Sequence, residues 1–232
     1  MTPVRAAAAL FLLASRLAAQ SDVKDLPLVE VPAQSPSRTF AVFVSGDGGW
    51  AAMDREVAKA LAARGVSVAG LNSLKYFWRT RSPDAVGADL ARIVRHYMGA
   101  WQADSVVVIG YSRGAGIVPF MVNRVGDELR LRVRMVVLLG AEHTAGFTFH
   151  VTDLFTSGPK KGEPPVLPEI EQLGATPVLC FYGADEDDTV CPELKPPAVS
   201  VRLPGGHHFD KNYAALGARI AEALQGRTGI RP

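Results

Sequence analysis

Four stretches of the chain carry residue types suited to acyl-transfer chemistry. The first is Gly110-Tyr111-Ser112-Arg113-Gly114, which fits G-x-S-x-G and follows an apolar run over residues 106–109. In a nucleophile elbow the serine sits on a sharp strand-to-helix turn, and the flanking glycines let the chain bend closely against the helix. Gly116 adds a third small residue where helix and strand must approach. The same letters also describe a tight turn with a capping serine, so the pentapeptide gains meaning only from its partners. A base must take the Ser112 proton, an acid must orient that base, and backbone N–H groups must meet the developing oxyanion.

Each partner has a candidate, in the order such a chain requires. FAVFVSGDGG (40–49) is a strand followed by a glycine-rich loop. The N–H of Asp47 is expected to complete an oxyanion hole with that of Arg113. An acidic side chain beside an oxyanion is unexpected, so the Asp47 carboxylate is expected to point away or serve another role. YGADEDDTVCP (182–192) places four consecutive acids after a strand end and a glycine. Alignment on a D-x-x-x-P ending selects Asp188, whereas distance from Gly183 selects Asp185. PGGHHF (204–209) then supplies the histidine. His208, directly before Phe209, is favoured, with His207 as the alternative. His96, His143 and His150 lie elsewhere and are read as solvent-facing or helix-flanking.

The elements that must position these residues follow from periodicity. Strands are predicted over 29–32, 40–44, 66–71, 105–109, 135–139, 178–182 and 199–203. Apolar residues at helical spacing predict helices over 53–63, 84–101, 114–125 and 213–224. The continuous apolar run before Ser112 suits a strand buried on both faces. The alternation implies an α/β fold with a mostly parallel sheet, helices on both faces and no separate second domain. The stretch 141–176, with four prolines, exceeds the usual connection length and reads as partly loop, either over the site's mouth or on the surface.

Composition narrows the setting. The chain has 232 residues, 48% hydrophobic and 21% charged, enough for one domain with a sizeable core. Arg5 precedes an apolar run over 6–14, and Leu17-Ala18-Ala19 ends in small residues, the pattern of a signal peptide over 1–19 with the domain over 20–232. Without those 19 residues the 25 Lys and Arg fall to 23, against 23 Asp and Glu. A neutral chain argues against nucleic acid as a partner. In an exported chain Cys180 and Cys191 are expected to form a disulfide, fastening both ends of the acid loop. No motif calls for a metal or an organic cofactor.

SGDGGW (45–50), LNSLKYFW (71–78), GYSRGAG (110–116), the acid loop with its cysteines and PGGHHFD (204–210) together resemble the VirJ/AcvB family of bacterial periplasmic proteins with the α/β-hydrolase fold. The likeness covers nearly all of the chain after the leader. It implies a periplasmic serine hydrolase acting on an ester, using Ser112, Asp188 and His208. AcvB-like members are associated with hydrolysing lysyl-phosphatidylglycerol, and VirJ-like members with a type IV secretion system. The second class of function is therefore a non-catalytic partner of secretion components, with a generic carboxylesterase as a further alternative. Lys75, Trp78 and Arg79, with Arg81, follow a strand end on the catalytic side, and cations among aromatics suit a phospholipid headgroup. The contrasting expectation is a surface loop whose aromatics pack inward. The Arg113 side chain is expected to meet the same anionic headgroup, while Asp47 and the acids at 185–187 are available to a substrate ammonium.

Overall fold

Alternate residues of the central strands face opposite ways, and the sheet is apolar on both sides. The computed structural model describes residues 22–149 and 162–226; the expected leader lies outside them. In order the elements are β1 (Leu28–Val31), β2 (Thr39–Val44), α1 (Ala52–Ala62), β3 (Val68–Leu71), α2 (Ser73–Tyr76), α3 (Pro83–Ala100), β4 (Ser105–Tyr111), α4 (Arg113–Asn123), α5 (Asp127–Arg130), β5 (Val133–Leu139), α6 (Leu167–Glu171), β6 (Val178–Gly183), β7 (Val199–Leu203) and α7 (Tyr213–Leu224). Phe40, Val42, Val44, Val106 and Val108 pack under α3 and α4. Ala41, Phe43, Val107 and Ile109 pack under α1 and α7. This period-two division turns one sheet into the wall of two cores.

The seven strands are ordered β1-β3-β2-β4-β5-β6-β7, and only the β1–β3 pair is antiparallel. The other strands run together, so the loops after β2, β4, β5, β6 and β7 leave from one edge. The chain crosses over between β3 and β4, which lie on opposite sides of β2. Such a switch point opens a crevice at the carboxyl ends of the strands, here between the loops after β2 and β4. All seven expected strands form. The sequence periodicity did not find α2, α5 or α6, each too short to display a helical repeat. Among the described residues no helix is long and apolar enough to cross a membrane.

Candidate active site

Ser112 directly follows β4 with φ 52° and ψ −120°. A non-glycine residue held there stores on the order of 1–3 kcal/mol of backbone strain. Its side chain makes no capping hydrogen bond to α4, which separates this turn from an ordinary serine cap. The strain is held by close packing. A Cβ on Gly110 would lie 2.3 Å from the Gly114 carbonyl oxygen, and one on Gly114 would lie 2.1 Å from that of Val44. Only glycines let α4 approach β4 and β2 this closely. The Ser112 N–H donates to the Leu139 carbonyl at 2.9 Å, tying the elbow to the end of β5.

The loop after β2 lies against the serine: a Cβ on Gly46 would be 3.3 Å from that of Ser112. Ser45 Oγ accepts from the Ser73 N–H at 3.0 Å, and the Ser73 hydroxyl donates to the Gly46 carbonyl. At the far end Asp54 accepts from the Ala51 N–H at 2.9 Å. These bonds fasten the Asp47 backbone in a defined path beside Arg113. Arg113 opens α4, so its N–H has no acceptor within the helix.

The Asp47 carboxylate accepts from Arg113 Nε, which accounts for an acid at this position. Arg113 Nη1 donates to the carbonyls of Gly146 and Thr148 at 2.8 and 3.0 Å. The expectation that the Arg113 side chain meets an anionic headgroup is therefore corrected. Its guanidinium is buried and engaged with Asp47 and the 146–148 segment.

Asp188 and His208 are not brought together. Asp188 Oδ1 accepts from His143 Nδ1, and His143 Nε2 donates to Glu193 Oε1 at 2.6 Å. Both ring nitrogens of His143 face carboxylates, an arrangement that favours the imidazolium. Asp188 chiefly, with Glu193, raises its pKa against the cost of burial. His208 is exposed and shares a 2.7 Å hydrogen bond between its Nδ1 and the Tyr111 hydroxyl. Burial and the neighbouring His207 and Lys211 lower its pKa. Asp185 and Asp187 are exposed.

Glu186 and His207 do pair, with His207 Nδ1 2.5 Å from Glu186 Oε1. The Glu186 side chain is only 4% exposed, and its Oε2 accepts from the Gly183 N–H at 3.0 Å. The His207 ring lies 5.3 Å from that of Tyr111, the residue before the serine. Burial works against the imidazolium, but Glu186, with the charges of Glu142 and Asp47, outweighs it and raises the His207 pKa. Glu142, beyond the end of β5, is within electrostatic reach of His207. Burial raises its pKa, Asp188 and Asp47 adding to the effect while His207 and Arg113 oppose it. The disulfide between Cys180 and Cys191 joins β6 to the far end of this loop, as expected.

Lys75, Trp78 and Arg79 lie apart from these residues. With Leu74, Arg81 and Asp25 they line a cleft of about 590 Å³ whose walls include neither Ser112 nor His207. Tyr76 and Phe77 pack inward, as the surface-loop expectation had it, but Trp78 is 65% exposed.

The comparisons with known proteins agree with this architecture. A family model described as bacterial virulence protein (VirJ) matches residues 38–228. The chain belongs to the VirJ family. No curated protein matches it. Among solved structures, this VirJ-family chain is similar to Est1E from Butyrivibrio proteoclasticus with ferulic acid bound, at TM-score 0.61 and 10% identity, over 89% of this chain and 98% of that one. It is also similar to the Pyrococcus furiosus esterase Pf2001, at 0.60 and 13%, over 87% and 90%. A third is XC6422 from Xanthomonas campestris, described as an α/β serine hydrolase without a lid, at 0.53 and 12%, over 88% and 90%. At these identities the likeness is one of fold: the VirJ-family chain has the α/β-hydrolase fold.

Sequence reasoning passed over Glu142 and the His143–Asp188 pair, and left Glu186 open among the four acids of the loop. Glu186 was one of four adjacent acids, and no spacing rule singled it out.

Proposed function

We propose that the protein is an exported serine hydrolase that cleaves an ester through Ser112, His207 and Glu186. The observation that carries this reading is the His207–Glu186 hydrogen bond beside the strained, uncapped Ser112 turn. Glu186 occupies Nδ1, so Nε2 is the nitrogen left to act as base. His207 takes the Ser112 proton as Oγ attacks the ester carbonyl, and the N–H groups of Arg113 and Asp47 receive the oxyanion. The imidazolium then protonates the departing alkoxide, leaving an acyl-enzyme on Ser112. Water activated by the same imidazole releases the acid and restores the serine. Of the similar structures, Pf2001 is named an esterase and Est1E is described with ferulic acid bound, which supports ester hydrolysis as the reaction class.

The substrate we propose is the aminoacyl ester of lysyl-phosphatidylglycerol, encountered in the periplasm. Glu142, close to His207 and half-buried, is suited to an ammonium on the acyl group. VirJ-family membership and the disulfide, which needs an oxidising compartment to persist, support export.

A fluorophosphonate probe should label the folded protein and spare Ser112→Ala. Absence of labelling in the wild type overturns the hydrolase reading and leaves a binding role within a secretion apparatus. Lysine released from lysyl-phosphatidylglycerol by wild type, but not by Ser112→Ala, tests the substrate. Hydrolysis of simple esters alone points to a generic esterase.

A further inference from the structure

We propose that the face around Trp78 docks the protein onto a bilayer containing anionic phospholipid. Trp78 is 65% exposed, while its neighbours Tyr76 and Phe77 are buried at 1% and 0%. The indole does not hang freely: it stacks on Phe149 with ring centroids 5.8 Å apart and planes 22° from parallel. A large aromatic held rigid at the surface, with an apolar body and a polar N–H, is the side chain favoured at membrane–water interfaces.

The charges around it point to the same occupant. Lys75 and Arg79 are exposed, and their side-chain charged groups make no hydrogen bond or ion pair among the described residues. Arg81 lies 3.7 Å from Asp89 and sits over the Tyr76 ring at 4.5 Å. Asp25 is the acid on the cleft wall, and Arg92 engages its carboxylate. The cleft of about 590 Å³ thus presents two cations without an acidic partner among the described residues, beside an exposed indole. Anionic headgroups complement those cations, and the acyl boundary accepts the indole.

The position suits delivery of a lipid substrate. Phe149 N–H donates to the Phe77 carbonyl at 2.8 Å, and Arg81 N–H donates to that of Phe147 at 3.0 Å. The 146–149 segment is therefore bound to the docking face on one side. On its other side it accepts the Arg113 guanidinium, one residue from Ser112. Docking builds on the lipid-substrate reading but is measured independently of it.

The test is sedimentation of the purified protein with phosphatidylcholine vesicles, with and without phosphatidylglycerol, at low and high salt. Binding is expected only with phosphatidylglycerol and should weaken as salt rises. Lys75→Glu/Arg79→Glu should lower vesicle affinity about 10-fold or more, and Trp78→Ala should abolish the blue shift of emission on binding. Circular dichroism and thermal melts establish that the variants fold. Hydrolysis of a soluble short-chain ester should be unchanged in them, because the cleft lacks the proposed catalytic groups. Equal binding to both vesicle types, or variants that bind like wild type, overturns docking. So does capture of an acidic protein without any vesicle binding. A protein that docks but hydrolyses no ester keeps this inference and loses the proposed function. One that hydrolyses soluble ester without docking does the reverse.

Discussion

His207 Nδ1 and Glu186 Oε1 stand 2.5 Å apart over the end of β5, where a Cβ on Gly140 would lie 2.8 and 3.1 Å from their respective side chains. The pair depends on three strands at once. β6 delivers the acid loop, β7 the histidine turn, and β5 a glycine small enough to sit beneath both. Asp188, two residues further along, is taken by His143.

The two acids should therefore differ sharply on substitution. Glu186→Gln is expected to lower kcat/KM on a soluble ester by about 10³–10⁴-fold, as losing the orienting carboxylate does in comparable triads. Asp188→Asn should cost less than about 10-fold, acting only through the His143 contact. A reversed ranking in steady-state assays returns the acid role to Asp188.

The pH profile follows from the His207 environment. The base works only when neutral, so activity is lost as pH falls through its folded pKa. Glu186, Glu142 and Asp47 place that value above the ordinary 6.5, despite burial. The acid limb of kcat/KM should therefore have its midpoint above 6.5. In Glu186→Gln the residual activity should show a limb moved to lower pH, since burial then acts with less opposition. A limb unmoved by this change assigns the titration to another group.

Gly140→Ala probes the packing beneath the pair. Gly140 has φ +60°, where a Cβ adds about 1–2 kcal/mol of strain, and its methyl, 2.8 Å from His207 Cε1, would displace the imidazole. A misplacement near 1 Å is enough for a loss of about 10²-fold in kcat. Activity falling far more than stability, measured by urea unfolding, is the expected pattern. Wild-type kcat in this variant means that the pair is not aligned for the reaction.

Asp54 should be visible in stability. It is 1% exposed, Oδ1 has no hydrogen-bond partner among the described residues, and burial raises its pKa from 3.8 to about 6. Between those values the folded state holds the proton that the unfolded state releases. Stability from this residue is thus greatest below pH ~4 and declines as pH rises to about 6. The full loss is about 3 kcal/mol. Asp54→Asn should remove that decline, so the stability of wild type relative to the variant falls by this amount between pH ~4 and ~7. Parallel stability curves for the two proteins rule out a titrating Asp54.

Local patterns in the chain were sufficient to identify the sheet, the elbow and the order of the loops. Alternating apolar residues specify strands, and Gly110 and Gly114 mark where α4 must approach β4. Cys180 and Cys191, the two cysteines of a chain expected to be exported, led to an expected disulfide, and the structure pairs them. Among Asp185, Glu186, Asp187 and Asp188, and between His207 and His208, the local patterns favoured Asp188 and His208, whereas the structure pairs Glu186 with His207. That choice depends on which way each side chain leaves a stapled loop and what meets it from β5 and β7. The same holds for Arg113, whose charge the sequence left open to a ligand and whose guanidinium Asp47 and two distant carbonyls occupy. Backbone periodicity is a short-range property, whereas pairing of side chains from separate strand ends requires those ends to be brought together.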